Sequence, residues 1–154
     1  RFKHDNLYWN YRLSGLQAAF GNSSIKNIDK VIDTKIKKAQ VYNELFSEHE
    51  DILQVPLVEL NGIQNHYWVY GIIPKVNIDR NLIMSSLHDS GIETRPFFYP
   101  LNKQPAYIKL NKEVTSCPVS EEIGEKGFYI PIGSHVKVKQ QKRIVEQIVN
   151  LIKS

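Results

Sequence analysis

Residues 14–46 carry helical periodicity with no proline to interrupt it. Ser14 followed three residues later by Gln17 is the signature of a capping box. Apolar residues then recur at Leu16, Ala19, Phe20, Ile25, Ile28, Val31, Ile32, Ile36, Ala39, Tyr42, Leu45 and Phe46, the spacing of one helix face. Gly21-Asn22-Ser23-Ser24 is the one weak turn, where a bend is expected. At roughly 1.5 Å per residue such a helix is about 45 to 50 Å long. That exceeds the width of a domain of this size, so the chain is expected to lean on a second body.

The rest reads as short elements. Residues 1–13 are expected to be extended or looped. Residues 52–56, 66–73 (closed by Pro74), 92–98 and 128–131 read as strands. Pro96 within the third places it at a sheet edge or ends it early. Asn77 or Asp79 caps a helix with Leu82, Ile83 and Leu87 on its apolar face, and Gly91 stops it. Residues 106–110 and 120–126 read as short helices, and residues 136–152 as an amphipathic one. Asn61-Gly62 marks a turn. The expected fold class is α+β: a long N-terminal helix, then a three- or four-stranded sheet with helices on one face.

Composition excludes several functions. The formal charge of +4 is spread along helices and makes no dense basic stripe, so nucleic acid is not an expected partner. No apolar run approaches the roughly 20 residues of a membrane span. A single cysteine, Cys117, allows no internal disulfide and suggests a reducing, cytoplasmic setting. There is no glycine-rich phosphate loop, no metal-ligand spacing and no nucleophile elbow. By spacing alone the chain contains no complete active site, and no residue is assigned as catalytic or as a metal ligand.

Two clusters carry binding chemistry. Asn10-Tyr11-Arg12 precedes a helix start, where free amides and the dipole favour an anion. Asn10 offers an uncharged donor and Arg12 a forked cation, a pair suited to phosphate. The plain alternative is that Arg12 pairs with a carboxylate and Asn10 caps a turn. The second cluster, residues 93–105, displays Arg95, Phe97, Phe98 and Tyr99 on a proline-stiffened loop, a combination suited to a sugar or nucleotide. Its plain alternative is a strand with core phenylalanines and a solvated arginine.

These motifs, in this order, resemble a known family. Asn10-Tyr11-Arg12-Leu13-Ser14, with Gln17-Ala18-Ala19, is similar to a segment of the DegT/DnrJ aminotransferases, pyridoxal-phosphate enzymes of aspartate-aminotransferase fold type. His66-Tyr67-Trp68-Val69-Tyr70 resembles their next strand. Gly91 through Leu101, with Gln104-Pro105, looks most like the perosamine branch. Ser116-Cys117-Pro118-Val119-Ser120 and Ile130-Pro131 fit later segments. The resemblance covers the whole chain but only the C-terminal part of the family's length.

It implies amino transfer from L-glutamate, through pyridoxal 5'-phosphate, to a nucleotide-linked 4-keto-6-deoxy sugar for polysaccharide biosynthesis. It further implies residues 1–13 as a domain junction, residues 14–154 as the small C-terminal domain, and a homodimer. Asn10 and Arg12 would serve the cofactor phosphate across the subunit interface. Arg95, Phe97 and Tyr99 would contact the nucleotide sugar. The family's Schiff-base lysine, its aspartate on the ring nitrogen and its stacking aromatic correspond to positions upstream of Arg1. The chain alone is therefore expected to be inactive and to belong to something larger. A related PLP-dependent sugar dehydratase, or a non-catalytic binding or assembly module, are the alternatives.

Overall fold

The computed structural model describes residues 3–6, 12–110 and 114–154. The proline-free run is helical as expected, but it is two helices: α1 (Gly15–Ile25) and α2 (Ile28–Phe46). The break falls at Lys26–Asn27, a few residues beyond the expected weak turn. Asn27 has φ −115° and ψ 12°, outside the helical range. Its amide closes a tight turn on the Ser24 carbonyl, while its own carbonyl receives the first α2 bond from Val31. The physical reason for the break is burial. None of the residues in α1 is buried, whereas α2 buries Ala39, Tyr42 and Phe46. With no packed face to hold α1 in line, a poor helix former such as Asn27 suffices to end the axis.

The main sheet has four strands: β1 (Leu53–Gln54), β4 (Tyr70–Pro74), β5 (Arg95–Pro96) and β6 (Phe128–Ile130). Their order is β1-β4-β6-β5 and every pairing is antiparallel. Between β1 and β4 the chain makes a small separate ribbon, β2 (Glu59–Leu60) and β3 (Ile63–Gln64). Its turn residues Asn61 and Gly62 both have positive φ, 52° and 79°, as a two-residue hairpin requires.

β5 lies at the edge and is two residues long, which Pro96 foretold, since it lacks a ladder donor. The strand expected over residues 66–73 starts only at Tyr70. Tyr67 has φ +49°, a left-handed conformation that no strand accommodates.

Helices α3 (Arg80–Asp89) and α6 (Val138–Lys153) complete the core with α2. Asp79 caps α3 through the Asn81 amide, and Gly91 ends it at φ +74°. The inward residues of β4, Tyr70 and Ile72, and of β6, Phe128 and Ile130, pack with Tyr42, Phe46, Ile83, Leu87, Ile144 and Ile148, all buried. Side chains alternate across a strand, so Gly71 and Tyr129 face the other way, and there the Phe97 ring fills the space above Gly71 and Gly127. Two shorter helices, α4 (Pro105–Leu110) and α5 (Pro118–Lys126), border that side. Among the described residues no helix is long and apolar enough to cross a membrane.

Candidate functional site

At the N-terminal end, the Ser14 hydroxyl accepts the Gln17 amide at 3.3 Å and the Gln17 side chain accepts the Ser14 amide at 2.8 Å. The capping box thus satisfies two orphan donors that an anion would otherwise meet. Arg12 is exposed beside this start; Asn10 lies outside the described residues. One exposed guanidinium does not enclose a pyridoxal phosphate. Burial lowers the pKa of Lys35. Its Nζ is taken up by the Trp68 carbonyl at 3.1 Å. These residues therefore do not form a pyridoxal site by themselves.

The three residues expected to meet a nucleotide sugar fall in two places. Arg95 is half-buried and pairs with Glu93 at 2.9 Å, an exposed pair of little energetic weight. It lines a cleft of about 400 Å³ at the sheet edge with Tyr129, His135, Gln140 and Arg143. Phe97 sits behind the sheet, edge-on to Tyr129 with ring centroids 5.6 Å apart. It borders a second hollow of about 550 Å³ with Tyr99, Arg80 and Lys103. The Tyr99 ring carries the Lys3 ammonium 4.8 Å above its centre.

Internal bonds organise that second hollow. Arg80 reaches from the start of α3 to the carbonyls of Gly124 and Gly127, at 2.6 and 3.2 Å, which ties the end of α5 to α3. Burial lowers its pKa, opposed by Asp79 and Glu125. Glu121 accepts from Lys103 at 2.8 Å, from the Cys117 amide at 3.0 Å and from Asn102 at 2.7 Å. Those bonds, the one from Lys103 foremost, hold its carboxyl down at about 2. Cys117 thus precedes a helix whose first turn is stitched to its own loop. Among the described residues no cluster of three or more His, Cys, Asp or Glu forms a metal site.

A third constellation joins Phe98, from the second expected cluster, to residues outside either cluster. Trp68 is 74% exposed and stacks on Phe98, with ring centroids 6.1 Å apart and planes 15° from parallel. Behind it the buried Tyr67 gives its amide to Asn65 Oδ1 at 2.8 Å. The Tyr67 hydroxyl accepts from Asn43 Nδ2 at 3.4 Å, and Tyr70 donates to Asn43 Oδ1 at 2.7 Å. Burial pushes the Tyr70 hydroxyl pKa up, reinforced by Tyr67 and Tyr42. Strand alternation already puts Tyr67 and Trp68 on opposite faces; the left-handed turn at Tyr67 left no sign in the sequence.

An antiparallel sheet of order β1-β4-β6-β5 layered on α2, α3 and α6 is a fold found within solved sugar aminotransferases. It superposes on Helicobacter pylori PseC, an aminotransferase of pseudaminic acid biosynthesis, with a TM-score of 0.79 at 18% identity, over 94% of this chain and 39% of that one. A Brucella abortus DegT DnrJ EryC1 StrS aminotransferase gives 0.73 at 22%, over 99% and 41%. The DegT/DnrJ/EryC1/StrS aminotransferase family matches residues 1–149, and the chain belongs to that family. It is 33% identical over 152 residues to GDP-perosamine synthase of Vibrio cholerae, covering 97% of this chain and 40% of that protein. The corresponding enzyme of Escherichia coli O157:H7 is 28% identical. The chain spans about two fifths of the length of these relatives.

Proposed function

We propose that residues 14–154 are the small C-terminal domain of a pyridoxal-phosphate-dependent aminotransferase, with residues 1–13 the junction to its larger part. The complete enzyme moves an amino group from L-glutamate to a GDP-linked 4-keto-6-deoxy sugar in the cytoplasm, for polysaccharide synthesis. The observation that carries this reading is the match to a perosamine synthase along nearly the whole chain but under half of that enzyme. The exposed apolar side of α1 supports it: Leu16, Phe20 and Ile25 are 63–70% exposed, as a face built to meet another body would be.

In this reading the cofactor, which acts as the electron sink and amino carrier, is held mainly outside these residues. The chain contributes Asn10 and Arg12 toward its phosphate across a homodimer interface. Arg95, Phe97 and Tyr99 border the sugar-nucleotide path. The complete protein, given pyridoxal phosphate, L-glutamate and a GDP-4-keto-6-deoxyhexose, is expected to form the amino sugar and 2-oxoglutarate, which mass spectrometry of both products reads directly. The 154-residue chain alone is expected to form neither. A complete protein that binds no pyridoxal phosphate overturns the proposal.

A second reading has its own observation. A GDP-4-keto-6-deoxymannose-3-dehydratase shares the fold, with a TM-score of 0.68 at 16% identity. Loss of water from the keto sugar, with no nitrogen gained, would favour it in the same assay.

A further inference from the structure

Gln104 lies buried at the turn into α4 and uses both ends of its amide. Its Oε1 accepts the His4 amide at 3.0 Å, and its Nε2 donates to the Tyr99 carbonyl at 3.4 Å. Only this orientation of the side chain gives both groups a partner, since a peptide N–H donates and a carbonyl accepts. The first of these bonds spans 100 positions of sequence.

The same stretch is gripped at neighbouring points. Pro105 has no N–H, so Ala106 carries the first amide of α4 that needs an acceptor. The His4 carbonyl supplies it at 3.0 Å. Lys109 Nζ donates to the Asp5 carbonyl at 3.3 Å, and the Lys3 ammonium stands 4.8 Å above the centre of the Tyr99 ring. Residues 3–5 belong to no helix or strand. Ordering such a segment costs more per residue than one exposed hydrogen bond returns. It stays docked only while its contacts act together. The bond to Gln104 is partly shielded from water, whereas that from Lys109 is exposed.

We propose that Gln104 is a positioning residue. It seats residues 3–5 against the start of α4, and through them it sets the Lys3 ammonium on Tyr99. The Tyr99 ring is thereby fixed at the edge of the hollow it lines with Arg80 and Lys103. Residues 3–5 act as a strap: docked, they hold the ring in one orientation; released, they free both the ring and the first turn of α4. This deepens the aminotransferase reading and rests on it only for what Tyr99 meets.

Gln104→Met keeps the length of the side chain and removes its amide donor and acceptor. In the 154-residue chain this variant is expected to exchange its His4 and Ala106 amide protons about two- to tenfold faster, read by NMR, the scale for losing one hydrogen bond. Melting followed by circular dichroism is expected to stay within a few degrees of the parent. Gln104→Glu, which keeps an acceptor for the His4 amide, is expected to restore most of its protection. In the complete protein, Gln104→Met and Lys3→Gln are each expected to raise the KM for the sugar nucleotide about two- to fivefold, the scale of one exposed cation–π contact. Neither is expected to change kcat or the KM for L-glutamate. A merely structural residue would not single out one substrate.

Unchanged His4 and Ala106 exchange in Gln104→Met overturns the proposal. So does faster exchange with an unchanged KM for the sugar nucleotide, or an equal rise in the KM of both substrates, which is what general loosening would give. The broader reading fails separately. A complete parent protein that forms no amino sugar, with His4 exchange still dependent on Gln104, removes the aminotransferase and keeps the strap.

Discussion

Gly71→Ala tests how the back of the sheet is built. A Cβ on residue 71 would lie 2.2 Å from Phe97 Cζ and 2.8 Å from Cε2, far inside contact distance. A phenyl ring can usually swing away, but this one is held on two sides. A Cβ at Gly127 would meet Phe97 Cδ2 at 2.3 Å, and Tyr129 stands edge-on against the ring. The ring must shift or the strands must part.

Overpacking of this kind costs about 1–3 kcal/mol. Replacing a mid-strand glycine by alanine returns about 0.5–1 kcal/mol of chain entropy. The expected net loss is about 0–2.5 kcal/mol, a fall in Tm of up to roughly 10 °C for a chain of this size. A double-mutant cycle makes the test specific. Phe97→Ala alone loses a half-buried ring, and in the double variant the new methyl enters the vacated space. Its destabilisation should fall short of the sum of the single variants by about 1 kcal/mol or more, as for residues in contact. The readout is urea unfolding followed by tryptophan fluorescence and circular dichroism. Strict additivity in the cycle would refute this account of the sheet.

Asn43→Ala should strand the buried Tyr70 hydroxyl without its acceptor and cost about 1–3 kcal/mol in chemical denaturation; Asn43→Asp, which keeps an acceptor, should recover part of it. Glu121 has a folded pKa depressed to about 2 from an ordinary 4.5, so its stabilisation is fully present above about pH 4.5 and is lost as pH falls toward 2. Glu121→Gln should flatten that limb of an acid-melting curve; an unchanged pH profile would count against the Lys103 and Asn102 contacts. The apolar side of α1 should drive concentration-dependent self-association in light scattering, and Phe20→Asp should suppress it; a parent that stays monomeric at high concentration would contradict the interface reading.

The sequence by itself fixed whatever is local or periodic. The Ser14 cap, the Gly91 stop, the Asn61-Gly62 turn and the buried stripe of α6 each follow from chemistry within a few residues, while the choice of Asp79 over Asn77 as cap fell to the structure. The ordered motifs carried the family for the same reason. Tertiary structure decided what depends on packing partners. The helix divides at Asn27 because α1 has no buried face, and the expected strand over residues 66–73 loses its first part because Asn43, Asn65 and Lys35 hold Tyr67 and the Trp68 carbonyl. Arg95 ends in a different hollow from Phe97 and Tyr99 because the edge strand is only two residues long. The Asn43 and Lys35 contacts span tens of residues, and no window along the chain records them.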